Sequence, residues 1–222
     1  MEEIYRDYQD IDYNQCEELV NQAWKFDEIF APEEFSDLAK QLYTKGSVIS
    51  SNYKVVVEVD GKVAGFIFGF NERATKPGLN ILYRLKTLWK LLRIKAIKPV
   101  NRSDFMNILK HHEINRNKVV KRGKSEINLF VVDKSYQTKG FGKNLWKGFL
   151  DYCKDSGVES IIVETNKLGA SGFYERIGFK HLGNFDSPLH ELATKGGQAC
   201  MYEFVEERFA RDSDKRAVDL GA

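Results

Sequence analysis

Residues 127 to 153 read INLFVVDKSYQTKGFGKNLWKGFLDYC, and this stretch constrains the fold more than any other. INLFVV is a short apolar run of strand composition. QTKGFG is a turn with two glycines, and beyond it Leu145, Trp146, Phe149, Leu150 and Cys153 recur at helical spacing. A strand that passes through a glycine turn into a helix leaves several backbone N–H groups unpaired, and the helix dipole adds positive potential there. An anion fits such a nest, with a phosphate as first suspect. Gly140 and Gly142 permit a close approach that a side chain would block, while Lys139 and Lys143 add charge. Two familiar phosphate sites are excluded by the residues themselves. A dinucleotide fingerprint needs a glycine where Leu145 stands, and a P-loop needs glycine at Gln137 and Ser or Thr at Asn144. A glycine turn alone is also ordinary strand-to-helix punctuation, so the rest of the chain must supply the context.

Elsewhere the pattern alternates helix and strand. Ile4 to Asp7 reads as a first strand, and Asn14 to Trp24 as a helix with Asn14 at its N-cap. A second helix is expected after Pro32. YKVVVEV and KVAGFIFGF flank Asp60-Gly61, a strong two-residue hairpin turn. In residues 71 to 125 a helical stripe of Leu82, Leu85, Leu88, Trp89, Leu92 and Ile97 lies beside cations and is expected to end at Pro99. A further amphipathic stretch, Ser103 to Ile114, has Ser103 as its expected cap. A strand resumes at Glu126. ESIIVET, FKHLGNF and QACMYEFVE are further strands, and Ala170 to Ile177 a short helix. The expectation is one domain over residues 1–222, with 71–125 inserted and a polar tail at 210–222.

The 42% of hydrophobic residues suffice for a packed core. The formal charge of +2 conceals a strong asymmetry, because residues 71 to 125 hold fifteen Lys or Arg against three acids. That segment is therefore about +12 and the remainder about −10. An anionic partner, whether an acidic substrate, a membrane surface or nucleic acid, would suit it, although a basic face is also commonly just a solvated one. Cys16, Cys153 and Cys200 show no pairing or zinc spacing, so reduced thiols in a cytoplasm are expected. The acidic start MEEIYRDYQD lacks the pattern of a secretory signal, and cations interrupt the most apolar segment, Leu79 to Ile97. His111 and His112 point to different helix faces, and His181 and His190 stand alone, so no metal site is expected.

In context, Gln137, Gly140 and Gly142 match the Q/R-x-x-G-x-G/A signature of the GNAT superfamily of N-acetyltransferases, which the chain resembles. Phe173-Tyr174 and Gly178-Phe179 repeat that family's second motif, about thirty residues downstream. The resemblance implies an α/β (α+β) fold with a mixed central sheet of about seven strands. Strands four and five would splay apart, and the basic helical insertion would fall between strands three and four. It further implies acetyl-CoA as cosubstrate and no metal. The pantetheine arm would lie along Phe130, Val131 and Val132. The pyrophosphate would meet N–H groups from Gln137 through Thr138, Lys139, Gly140, Phe141 and Gly142 to Lys143, with Phe173 beside them. One departure stands out: Asn166 lies eight residues before Tyr174, where the family's Asn lies seven before.

Acetyl transfer to an amine requires a neutral amine, a stabilised oxyanion and a proton or hydrogen bond for the leaving thiolate. An amine with pKa of about 10 is mostly protonated at neutral pH, so a base or water relay must act first. Glu126, eleven residues before Gln137, stands where histone-type members of the family place their catalytic glutamate. It reads equally as a solvated carboxylate at a strand end. Tyr174 would serve the thiolate, and the N–H of Val132 the thioester carbonyl. The expected function is transfer of an acetyl group to a primary amine of a small molecule or protein by direct attack. The alternative is a non-catalytic acyl-CoA-binding regulator that docks on a membrane or nucleic acid through its basic insert. Neither the acceptor nor the oligomeric state is legible.

Overall fold

In the computed structural model of the chain, residues 2–78, 81–94, 97–121, 123–194 and 198–206 are described; the tail 210–222 lies outside them. The hairpin is as its turn dictates. β2 (Tyr53–Val59) and β3 (Lys62–Phe70) run antiparallel about Asp60 and Gly61, whose φ angles of 49° and 80° are those that Asp-Gly tolerates. β1 (Glu3–Asp7) pairs with β2, and β4 (Ser125–Val132) with β3. Beyond them lie β5 (Ser160–Asn166), β6 (Lys180–Phe185) and β7 (Ala199–Val205). The sheet has seven strands in the order β1-β2-β3-β4-β5-β7-β6, mixed as expected. Among the described residues its one parallel pair, β4 with β5, is joined only from Ser125 to Ile127 and from Ile161 to Val163. Past those residues the ladder stops, and the two strands part.

Helices cover both faces. On one side α1 (Tyr13–Trp24), α2 (Phe26–Ile29) and α3 (Glu33–Ser50) bury Leu19, Val20, Phe35 and Leu38 against Val56, Phe66, Phe68, Leu129 and Val131. On the other, α6 (Phe141–Asp155) and α7 (Ser171–Arg176) bury Phe141, Leu145, Trp146, Phe149 and Tyr174 against Val57, Ile67, Ile127, Ile161 and Val163. Phe149 is fully enclosed, and its ring lies so close over Gly69 that a Cβ there would be 2.5 Å away. Phe149→Ala is therefore expected to cost about 3 to 5 kcal/mol, measured by denaturant unfolding. A loss below about 1 kcal/mol would mean that this side of the sheet repacks freely.

Two expected caps are corrected. Asn14 lies inside α1, which begins one residue earlier. Asp12 precedes it, with its carboxylate held by Arg6 at 2.7 and 2.8 Å and by the N–H of Gln9 at 2.8 Å. Asp12 contributes negative charge before the helix without a side-chain cap bond to it. In the insert, α5 (Arg102–Val119) is capped by Asn101, whose side chain accepts from Asp104 N at 2.9 Å, and not by Ser103. Pro99 does not end the preceding helix either, since α4 (Ile81–Arg93) stops six residues before it. The short α2 and α8 (Pro188–Thr194) were not anticipated, having too few turns for a periodic signal.

The insert is tied into the same core as α1 and α3. Leu91, Ile97 and Phe105 are buried there, and Lys98 exchanges backbone hydrogen bonds with Ala31 at 2.7 and 3.3 Å. The apolar stripe of α4, however, faces outward. Leu82, Leu85, Leu88, Trp89 and Leu92 are exposed, whereas Leu91, outside the stripe, is the residue that packs. Period fixes which residues share a face but not which way the face turns. No helix among the described residues is long and apolar enough to cross a membrane.

A bulge in β4 sets up the site. Phe68 pairs with Leu129 and the next residue, Gly69, with Ile127, so Asn128 is an extra residue. Its side chain donates to Ser51 Oγ at 2.8 Å, at the end of α3. Side-chain alternation is thereby inverted: Leu129 and Val131 join the α1 and α3 layer, while Ile127, Phe130 and Val132 join the α6 and α7 layer.

Candidate active site

The gap between β4 and β5 offers backbone on one wall. Asp133 N donates to Ala64 O at 2.9 Å, so N–H directions, which alternate along a strand, turn those of Val132 and Phe130 away from β3 and into the gap. The Val132 carbonyl also faces it, and there accepts from the side-chain amide of Gln137 at 3.1 Å. Val131, by contrast, directs its backbone to β3 and its side chain into the opposite layer.

The glycine turn follows. A short 3-10 turn at Lys134–Tyr136 leads to Gln137, and Thr138 and Gly140 adopt left-handed φ of 71° and 92°. The N–H groups of Gln137 and Lys139 are engaged within the turn, to Asp133 O at 3.1 Å and Tyr136 O at 3.3 Å. The bond from Asn144 N to Gly140 O, 3.0 Å, opens α6, so the N–H groups of Phe141, Gly142 and Lys143 precede it at the positive end of the helix. The run of N–H groups left for an anion is therefore narrower than the expected segment from Gln137 to Lys143. Lys139 Nζ lies 4.8 Å from the centre of the Tyr136 ring, beside the nest. A Cβ on Gly142 would stand 3.4 Å from Phe173 and 3.7 Å from Phe130, whose rings meet edge to face at 5.5 Å. Three residues singled out in the sequence thus converge at the mouth of the gap.

Tyr174 sits deeper, buried between Phe173 and Phe179 with ring centres 5.4 Å away on each side. Burial raises its hydroxyl pKa, so the group keeps its proton at any physiological pH.

On the opposite layer lies a cluster whose partners the sequence did not connect. Arg116, from α5, donates to Glu126 through Nη2 and to Glu164 of β5 through Nε, the latter at 2.9 Å. Glu164 Oε1 also lies 2.8 Å from His190 Nε2 and 3.6 Å from His112 Nε2, and His112 Nδ1 lies 2.9 Å from Ser187 Oγ. His112, read from the sequence as a surface residue, is instead half-buried and stacked on His190 with ring centres 6.0 Å apart. Burial lowers its pKa, against the opposing pull of Glu164. For Glu126 burial raises the pKa and outweighs the attraction of Arg116. For Glu164 burial acts upward too, but the hydrogen bond from His190 and the neighbouring positive charges prevail and lower it. Two carboxylates that share one guanidinium are in this way pushed apart in acidity. Glu164, His112 and His190 also bring ligand atoms within 4.8 Å of one another, close enough for a metal ion. The bonds from Arg116 and His190 already satisfy both oxygens of Glu164, which explains the arrangement without one.

Asn166, at the end of β5, is buried and accepts from Leu168 N at 2.8 Å, which gives it a turn to hold. All three cysteines are buried. A cleft of about 850 Å³ between α3 and the insert is lined by Glu34, Asp37 and Gln41 opposite Lys90, Arg93 and Lys98. It shares no residue with the gap and is distinct from it.

A mixed sheet opened between its two parallel strands, with a glycine-opened helix beside the opening, is the GNAT fold. Residues 114–186, about a third of the chain, match the family model described as the acetyltransferase (GNAT) domain, which bears out the resemblance carried by the two motifs. The solved structure of PH1933 from Pyrococcus horikoshii OT3 superposes with a TM-score of 0.57 at 19% identity, over 92% of this chain and 99% of that one. PaiA N-acetyltransferase from Thermoplasma acidophilum, solved in complex with coenzyme A, gives 0.54 at 17%, over 93% and 100%. The ribosomal-protein-S18-alanine N-acetyltransferase from Escherichia coli gives 0.51 at 13%, over 92% and 94%. At these identities the likeness is one of fold. No curated protein matches the chain. Domain match and fold together support acyl transfer as the chemistry.

Proposed function

We propose that the protein is an acetyl-CoA-dependent N-acetyltransferase that acts by direct attack of a primary amine on the thioester. The observation that carries this reading is the early end of the β4–β5 ladder at Ile127 and Val163, with different chemistry on the two sides of the opening. On the α6 side, the N–H groups of Phe130 and Val132 receive the pantetheine arm, and those of Phe141, Gly142 and Lys143 the pyrophosphate. Lys139 adds charge and Phe173 apolar contact. On the α5 side, Glu126 takes the proton from the acceptor, with Arg116 fixing its orientation. Tyr174, whose acidity is lower than that of a thiol, serves the departing sulfur as a hydrogen-bond donor rather than by full proton transfer. The Val132 N–H polarises the thioester carbonyl. A cytoplasmic setting, in which the thiols stay reduced and acetyl-CoA is at hand, suits this reading.

Calorimetry with acetyl-CoA and thiol release with a panel of amines test it together. Gly140→Val is the informative variant, since a β-branched residue at φ 92° is strained although nothing crowds its side chain. Strain of about 1 to 2 kcal/mol predicts roughly tenfold weaker acetyl-CoA binding. Unchanged affinity in the variant, or no heat of binding in the parent protein, would remove the nest from the reading.

A further inference from the structure

Tyr83, Thr87 and Leu91 form the inner side of α4; Leu91 is buried, and the Tyr83 hydroxyl donates to Gln41 O of α3 at 3.1 Å. On the outer side Ile81, Leu82, Leu85, Leu88, Trp89 and Leu92 are 47 to 72% exposed. At about 100° per residue these six cover a continuous stripe roughly 120° wide. Arg84 borders one edge, and Lys86 and Arg93 the other, with Arg93 laid over the Trp89 ring at 3.5 Å. α4 contains no acidic residue. An apolar surface of this extent, turned to water on a helix edged with cations, is the pattern of a binding face.

We propose that α4 is an interfacial helix that seats the protein on an anionic lipid bilayer, its apolar stripe in the acyl boundary and its cations among the headgroups. Charge decides between occupants. A second copy laid stripe to stripe would set Arg84, Lys86 and Arg93 of each chain against their equals, with no acid on either helix to offset them. Nucleic acid would meet the cations but leave five aliphatic side chains without a counterpart. A lipid surface supplies both the negative charge and the apolar depth.

Vesicle co-sedimentation of the full chain tests the proposal. The protein is expected to sediment with phosphatidylcholine vesicles that contain phosphatidylglycerol, to remain in the supernatant with phosphatidylcholine alone, and to show a blue shift in its tryptophan emission when bound that Trp89→Phe removes. Leu85→Asp with Leu88→Asp, at exposed positions and checked for an unchanged thermal midpoint, is expected to weaken partitioning at least about a hundredfold. Arg84→Gln and Lys86→Gln are each expected to weaken it about fivefold. Equal recovery in the supernatant with both vesicle types overturns the proposal, as does undiminished sedimentation of the double Asp variant. Self-association by analytical ultracentrifugation that the same variant abolishes, without vesicle binding, assigns the stripe to a second copy. Retention on heparin or RNA without vesicle binding assigns the basic insert to nucleic acid.

Discussion

Tyr174→Phe is expected to lower kcat by about two to three orders of magnitude while KM for acetyl-CoA stays near its parent value. The ring is buried between Phe173 and Phe179, and phenylalanine preserves that packing, so the variant removes one hydroxyl and little else. A donor aimed at a developing charge in a site sheltered from water is where a single hydrogen bond has its largest kinetic effect. Steady-state thiol release, with calorimetric acetyl-CoA affinity as the control, makes the measurement. A variant with parental kcat would leave Tyr174 as a core residue alone.

The second large effect is expected at Glu126. Glu126→Gln keeps an oxygen for Arg116 but cannot take a proton, so kcat at neutral pH is expected to drop about a hundredfold. The pH profile gives the sign. The base works only when deprotonated, so the parental rate rises with pH through the Glu126 pKa, which burial holds above the usual carboxylate range. In the variant that inflection is absent, and the rise follows the acceptor amine alone. The reading must be made above the pH at which the cluster itself fails. Glu164 and His112 both have lowered pKa values, so each binds fewer protons folded than unfolded. Their stabilisation is present above their unfolded pKa values and is lost as pH falls through the folded ones. If the inflection survives in Glu126→Gln, the proton is taken elsewhere, and His190 on Glu164 is the neighbouring group to examine.

What the sequence made legible was local. Asp60-Gly61 specifies its hairpin by the φ angles its two residues tolerate, and Gly140 announces the turn before α6 for the same reason. Tyr174 could be singled out because its motif lies within a few residues on either side. The cluster around Glu164 was not found, because Arg116 lies 48 residues from Glu164, and His190 lies 26 from it. Only the strand order brings α5, β5 and α8 together, and no spacing rule carries that information. His112 looked like a surface residue because helical period says nothing about an element that arrives later in the chain. The α4 stripe failed differently: its residues were grouped correctly, but a period has no sense of inside and outside.

The extra residue at Asn128 acts as a half-step in the parity of the strand. On the proposed reading one continuous peptide serves two tenants, its downstream stretch the coenzyme and its upstream carboxylate the nitrogen that receives the acyl group. Ordinary alternation would have put Glu126 in the same chamber as Phe130 and Val132. Segregating donor from acceptor is thus a matter of counting rather than of any particular side chain, which is why a gain or loss of a single position there is more consequential than most exchanges of residue type.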